Sequence, residues 1–231
     1  MITVHHLADS RSQRILWLLE ELGREYEVVR YERDAKTMLA PAALGDVHPL
    51  GKSPVIEDGA LKVAESGAIV QHLIGLGGPM SPDGPGAAAA DLEWLHAAEG
   101  SVQPLLLMAL LFRLAPERAP KLARAVVGGV CKQLMSSFVT PRLAEQLGHV
   151  ERTLAGRDWF AGGPGPTGAD VMMIFPLEAA TARIEGVGAE GMDAYPAIKA
   201  YVARVHDRPA YRRALARGGP YAYGPKDEPR G

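Results

Sequence analysis

The sequence predicts a small mixed α/β domain followed by a wholly helical one. Three observations carry that reading. The β-forming runs "ITVHHL", "YEVVRYE", "SPVIED" and "ALKVAE" all fall within the first 65 residues. A glycine- and proline-rich stretch, "GGPMSPDGPG" at 77–86, comes soon after them and is the clearest linker in the chain. Beyond it the apolar residues recur with helical spacing.

Residues 2–7, "ITVHHL", read as a strand that stops at Asp9-Ser10. Ile15, Leu18, Leu19 and Leu22 then share one helical stripe, and Gly23 is placed to end it. "YEVVRYE", 26–32, is a second strand. Strand, helix and strand at this spacing form a βαβ unit with parallel strands and a right-handed crossover. Pro41, Gly45 and Pro49 interrupt 34–51, which predicts a short irregular helix and a loop. "SPVIED" and "ALKVAE" flank Asp58-Gly59, a strong hairpin signal. "ESGAIVQHLIGLGG" follows as a helix ended by glycines. The order is βαβαββα, with helices on both faces of a small mixed sheet.

In the second part, 87–115 predicts one long helix with a bend at Pro104. Residues 117–155 predict one long or two shorter helices, weakened at Gly128-Gly129 and Pro141. "GGPGP" is a loop, and 167–183, 196–208 and 209–217 are three further helical segments. At Thr167-Gly168-Ala169-Asp170 the Thr167 side chain is placed to bond the Asp170 amide, and the Asp170 carboxylate to reach back to the Thr167 amide. Residues 224–231 are expected to be mobile.

Composition narrows the function. The 231 residues are 47% apolar and 23% charged with a net charge of −2, which argues against a nucleic-acid or anionic-membrane surface as the main partner. Cys131 is the sole cysteine, so an internal disulfide, a multi-cysteine zinc site and a C-x-x-C redox motif are all excluded. A reducing cytoplasm fits this best. The N-terminus lacks a basic region followed by an apolar stretch, and the run Leu105–Leu111 is too short to span a bilayer. His5 and His6 are adjacent on a strand, point to opposite faces and cannot share a metal. No phosphate loop, dinucleotide fingerprint, H-E-x-x-H or G-x-S-x-G occurs.

Three short segments remain, each at an element boundary of the first domain: Ser10 after the first strand, "HPLGKSP" at 48–54, and "ESGA" at 65–68. With "SRSQRILWLLEELG", "HPLGKSPVIEDG", "ESGAIVQHL", "TGADVMM" and "PAIKAYVARVHDRPAYRRAL" in this order and spacing, the chain resembles a glutathione S-transferase of the serine type over essentially its whole length. The resemblance implies a thioredoxin-like, glutathione-binding domain over 1–78, a linker over 79–86, and an all-α domain over 87–231 that shapes the electrophile site. It also implies a cytoplasmic homodimer that uses glutathione as co-substrate, without a metal or other cofactor, against a small hydrophobic electrophile, as in detoxification.

The residue chemistry agrees with that implication. Glutathione carries two carboxylates, an ammonium and a thiol. Ser66 at a helix N-terminus offers a hydroxyl and free amides to a carboxylate, which by resemblance is the γ-glutamyl one. Glu65 would orient the γ-glutamyl end. Lys52 can pair with the glycyl carboxylate, with His48 assisting. Ser53 precedes Pro54, which is cis in the family, and its backbone would pair with the cysteinyl part. A hydroxyl donating to sulfur favours thiolate, as does the positive end of a helix. By resemblance to serine-type members, in which the serine stands four residues before such an arginine, Arg14 points to Ser10, with Ser12 the alternative. Taken singly, Lys52 reads more readily as a solvated lysine and Ser10 as a cap, and Glu65-Ser66 equally well as a helix start; found together in this order, they favour a site. Trp94, Leu106, Met108, Leu110, Phe112, Tyr221 and Tyr223 are candidate walls of the electrophile site, although core or dimer contact is the commoner role for most of them, and Cys131 is a buried structural residue. Rival readings are another glutathione-dependent reaction (peroxide reduction, dehalogenation, ether cleavage, isomerisation) and a non-catalytic binding relative.

Overall fold

A computed structural model describes residues 1–183 and 191–225. Strand β1 (Ile2–Leu7) leads into helix α1 (Gln13–Glu21) and strand β2 (Tyr26–Tyr31), and β1 and β2 pair in parallel. A single turn, α2 (Leu44–Val47), interrupts the following loop. Strands β3 (Val55–Asp58) and β4 (Leu61–Ala64) form the hairpin around Gly59, whose φ is +60°. The sheet order is β2-β1-β3-β4, with β3 antiparallel to β1. β1 is central and therefore buried along most of its length, with Val4 fully so. Helix α3 (Ser66–Gly75) closes this unit.

The helical part begins earlier than its linker-like composition suggests. Helix α4 (Gly84–Ala97) starts inside "GPG", with Pro85 in its first turn, where a missing N–H is harmless. The long rod then bends through a π-helical turn, Ala98–Val102, directly before α5 (Gln103–Arg118). Pro104 has no N–H to give to the preceding turn, so the distortion falls on its N-terminal side. The same thing happens between α6 (Arg124–Leu134) and α7 (Thr140–Leu154), where the π turn Met135–Val139 precedes Pro141, while Gly128-Gly129 stay helical. Helices α8 (Gly168–Arg183), α9 (Pro196–His206) and α10 (Pro209–Gly218) complete the chain. The expectation for 224–231 lies, from 226 onward, outside the described residues. By length and composition the rod Gly84–Arg118 could cross a bilayer. In the fold its Trp94, Leu95, Ala98 and Val102 are buried in the shared core.

Helix α8 is the pillar between the two parts. It packs on α1, α3, α4 and α9. Gly168 makes the approach possible, since a Cβ there would stand 3.1 Å from Ile74 and Leu95 side chains. The fully buried Asp170 fastens its first turn. Its carboxylate accepts the Thr167 amide (2.8 Å), the Phe160 amide (3.2 Å) and the Thr167 hydroxyl (3.2 Å). The carboxylate half of the expected cap is thus formed, but the Thr167 hydroxyl donates to that carboxylate instead of accepting the Asp170 amide. Burial pushes the Asp170 carboxyl up to about 7, with these hydrogen bonds opposing it.

Candidate functional site

Two cavities of opposite character lie near one another, one between the sheet unit and the helices and one wholly among the helices. The first, of about 410 Å³, is polar and lined by Arg11, His48, Leu50, Lys52, Ser53, Pro54, Ala64–Ala68, Leu95, His96, Glu99 and Met172. The fold therefore brings Lys52, Ser53, Glu65, Ser66 and His48 to one hollow. The Ser53-Pro54 peptide is cis. Ser53 ties this loop to the central strand, its hydroxyl donating to the His5 carbonyl (2.7 Å) and accepting the Leu7 amide (3.1 Å). Glu65 has φ +69°, a left-handed conformation unusual for a residue with a side chain. That backbone reversal sets Ser66 as the first residue of α3, with the unpaired amides of the helix start in the cavity wall.

Neither serine of "SRS" is among the residues lining this cavity. Ser10 is 6% exposed and Ser12 fully buried. Nor does either cap α1 through its side chain in the usual way: the N-cap residue is Ser12, which makes no side-chain cap bond, and the Ser10 hydroxyl accepts the Ser12 amide at 3.2 Å. Their hydrogens can be assigned from His6. Burial, foremost, and the charge of Arg30 hold the His6 imidazole down to about 4, so the ring is neutral. Its Nε2 faces the Gly218 backbone, to which it bonds, leaving Nδ1 as an acceptor. The Ser12 hydroxyl then donates to Nδ1 (2.8 Å) and accepts the Leu7 amide (3.2 Å) and the Ser10 hydroxyl (2.8 Å). The proton of Ser10 thus points at Ser12 in this arrangement.

Arg11, between them, does line the cavity. Its Nε donates to both oxygens of Glu99, at 3.0 and 3.2 Å. Glu99 sits in the π turn ahead of α5. The buried Arg14 also donates to Glu99, and its other terminal nitrogen donates to the Met172 carbonyl at 2.7 Å. That carbonyl is available because Pro176, four residues on, has no N–H to bond it. Burial raises the Glu99 carboxyl, but Arg14 and Arg11 outweigh it and hold the group below its ordinary range. The motif-based reading missed this bridge. The one available signal was an arginine on the apolar face of α1 together with a proline inside α8.

The second cavity, about 420 Å³, is mainly apolar. It lies between α5, α6 and α8 and is lined by Leu106, Leu110, Phe112, Cys131, Phe175 and Tyr223 among others. Of the expected wall residues, Leu106, Leu110, Phe112 and Tyr223 are present. Trp94 instead stacks on His149 and packs against the tilted ring of Phe160, with centroids 4.9 and 4.8 Å away, in the core. Tyr221 donates to the buried Glu178 at 2.7 Å, anchoring the tail that carries Tyr223, and Met108 is not in the lining. Cys131 is buried, with its residue at the cavity wall.

With this geometry in place, comparison with known proteins is decisive. Residues 1–74 match the family model of the glutathione S-transferase N-terminal domain, and 136–204 that of the C-terminal domain. Glutathione S-transferase 3 of Schizosaccharomyces pombe is 34% identical over 93% of this chain and 86% of its own. This chain belongs to the glutathione S-transferase family. Glutathione S-transferase 1 of Saccharomyces cerevisiae is 32% identical over 91% of this chain and 92% of its own. The crystal structure of a glutathione S-transferase from Actinobacillus pleuropneumoniae superposes with a TM-score of 0.74 at 30% identity, covering 96% of this chain and 94% of that one. A Pseudomonas fluorescens family member with two glutathione molecules bound shares the fold, with a TM-score of 0.70 at 24% identity over 93% and 92% of the two chains. The small mixed sheet and the helices behind it are thus the thioredoxin-like and all-α parts of this family's fold.

Proposed function

We propose that this protein is a glutathione transferase that binds glutathione in the polar cavity and directs its thiolate at an uncharged electrophile in the apolar one. The observation that carries the reading is the contact between the walls of the two cavities: Arg11 of the first stands over the ring of Phe175 of the second, 5.4 Å from its centroid. In this reading the start of α3, with Ser66, takes the γ-glutamyl carboxylate. Glu65 orients the adjoining ammonium. Lys52, with His48, takes the glycyl carboxylate. The backbone of Ser53 pairs with the cysteinyl segment. Residues 1–78 form the glutathione-binding unit and 87–231 the electrophile unit, with the linker 79–86 running into the first turn of α4. The working form is a cytoplasmic homodimer acting in detoxification.

A free thiol ionises near pH 8.5, so at neutrality little of it is nucleophilic. Lowering that value by two units requires about 2.7 kcal/mol of preferential thiolate stabilisation. The Ser10 hydroxyl is proposed to supply part of it by turning its hydrogen from Ser12 to the sulfur, while Ser12 stays fixed by His6. Ser10 is not the nucleophile and needs no base. Positioning and exclusion of water by the helical part supply further acceleration.

Isothermal calorimetry with millimolar glutathione is the direct test. Saturable binding is expected, and its absence refutes the reading. A panel of aryl halides, epoxides, activated alkenes and hydroperoxides then separates thiolate addition from peroxide reduction on the same site.

A further inference from the structure

We propose that Arg11 is the principal group facing the thiolate, held in place by Glu99 from the helical part, with Ser10 secondary. The proposal rests on the glutathione reading above and deepens it. The argument starts from where the sulfur has to be. A thiol that attacks a molecule in the apolar cavity must lie where the two cavities meet. Along α8 their linings come next to each other at Met172, on the polar side, and Phe175, on the apolar side, one helical turn apart. Along the long rod the linings adjoin at Glu99 and Gln103, again one turn apart, so the thiol is placed at this junction. Arg11 stands at this junction, bonded to Glu99 and lying over Phe175. The carboxylate-binding candidates Lys52 and Ser66 come from other segments of the lining, leaving the junction to the thiol.

The guanidinium is presented for this task. Its Nε alone is spent on Glu99, and the terminal nitrogens have no hydrogen-bond partner among the described residues. Its side chain is 38% exposed, enough to be met by a ligand. Glu99 cannot swing away, because Arg14 holds it and is itself tied to the carbonyl freed by Pro176. The row Met172 carbonyl, Arg14, Glu99, Arg11 therefore crosses from one part of the molecule to the other and ends in a cation at the cavity wall. With two guanidiniums and one carboxylate, its net charge is positive. The other charged or titratable groups lining the cavity are Lys52, Glu65, His48 and His96. The Ser10 hydroxyl is a neutral dipole already bonded to Ser12. A fixed cation favours thiolate more strongly than such a dipole does. The chemistry is simple ionisation: the S–H bond breaks, the proton passes to water, and the electron pair stays on sulfur beside a guanidinium that remains protonated. Arg11 is an electrostatic partner and not a base.

The test compares wild type, Arg11→Ala, Arg11→Lys and Ser10→Ala. Thiolate absorbance of bound glutathione is titrated against pH, and affinity for S-methylglutathione, which has no ionisable thiol, is measured by calorimetry. Arg11→Ala should raise the bound thiol's pKa by about one unit or more, a tenfold loss of thiolate well below that value, with S-methylglutathione affinity changed less than about threefold. Arg11→Lys should recover part of the shift, and Ser10→Ala should move it less than Arg11→Ala does. Glu99→Gln, which keeps an acceptor for Arg11 but removes a negative charge, should lower the thiol pKa. The proposal is overturned if Arg11→Ala leaves that pKa unchanged while Ser10→Ala raises it. It is equally overturned if Arg11→Ala weakens both ligands tenfold with the pKa unmoved, which would make Arg11 a carboxylate clamp. If wild type binds neither ligand, the glutathione reading itself has failed, and the proposal fails with it.

Discussion

The polar cavity draws most of its lining from residues 48–68, whereas the lining of the apolar cavity is spread from Gln103 to Tyr223. The first takes its carboxylate-binding candidates from a loop and the first turn of α3, set by local devices: a cis proline, a positive φ at Glu65, the open helix start. The second is built from helix faces that meet only once α5, α6 and α8 have packed and the tail has been pinned at Glu178. A site of the first kind can be damaged without disturbing the fold. A site of the second kind depends on it, and α8 contributes to both.

The largest expected effect strikes both cavities at once. Asp170→Ala leaves the Thr167 and Phe160 amides and the Thr167 hydroxyl without their acceptor inside the core. Two or three buried donors left unpaired should lower stability by about 3–5 kcal/mol in urea denaturation. A loss under about 1 kcal/mol would show that α8 is not held from its first turn.

A smaller effect concerns the loop between β1 and α1. His6 is held to about 4, below the ordinary 6.5. A base lowered by folding binds fewer protons folded than unfolded in that window, so it favours unfolding as pH falls from about 6.5 toward about 4. Asp170, raised to about 7 from 3.8, acts in the opposite sense over much of the same window, binding more protons when folded. The wild-type curve should therefore be flatter than either group alone would make it. His6→Asn removes one side of this balance. Relative to wild type, its stability should improve by about 2–3 kcal/mol between about pH 7 and about pH 4.5. A parallel pair of stability curves would mean that His6 is not the buried neutral acceptor of the Ser12 hydroxyl.

The smallest effects sharpen the contrast directly. Lys52→Ala, in an exposed loop, should weaken glutathione by about tenfold and leave stability within about 0.5 kcal/mol. Leu110→Asp should raise the KM for an apolar electrophile by about tenfold with glutathione binding unchanged. If either variant moved both substrates together, the two cavities would have to be read as one.

The same division describes what could be read from the chain beforehand. The strand, helix and strand start, the Asp58-Gly59 hairpin and the motifs around Lys52 and Ser66 are local patterns, so their residues signalled themselves. The π turns were half visible. Pro104 and Pro141 announced a disturbance, but only the packed rods show that the extra residue is taken up before each proline. Arg14 gave little warning. An arginine on the buried face of α1 makes sense only beside a carbonyl 158 positions later that Pro176 has left unpaired. Trp94 stayed undecided for a different reason, since a large apolar side chain looks alike in sequence whether it lines a pocket or fills a core.

By itself, then, the sequence determined the order of elements, the break between the two parts and the set of polar residues offered to a peptide-like ligand. These rest on periodicity, turn chemistry and helix-end geometry, which act over a few residues. Tertiary structure alone decided that Ser10 donates to Ser12, that Arg11 faces the cavity, and which helix faces enclose the apolar space. Those outcomes depend on burial and on partners far apart in the chain, where a charge is tolerated only if another element supplies its counterpart.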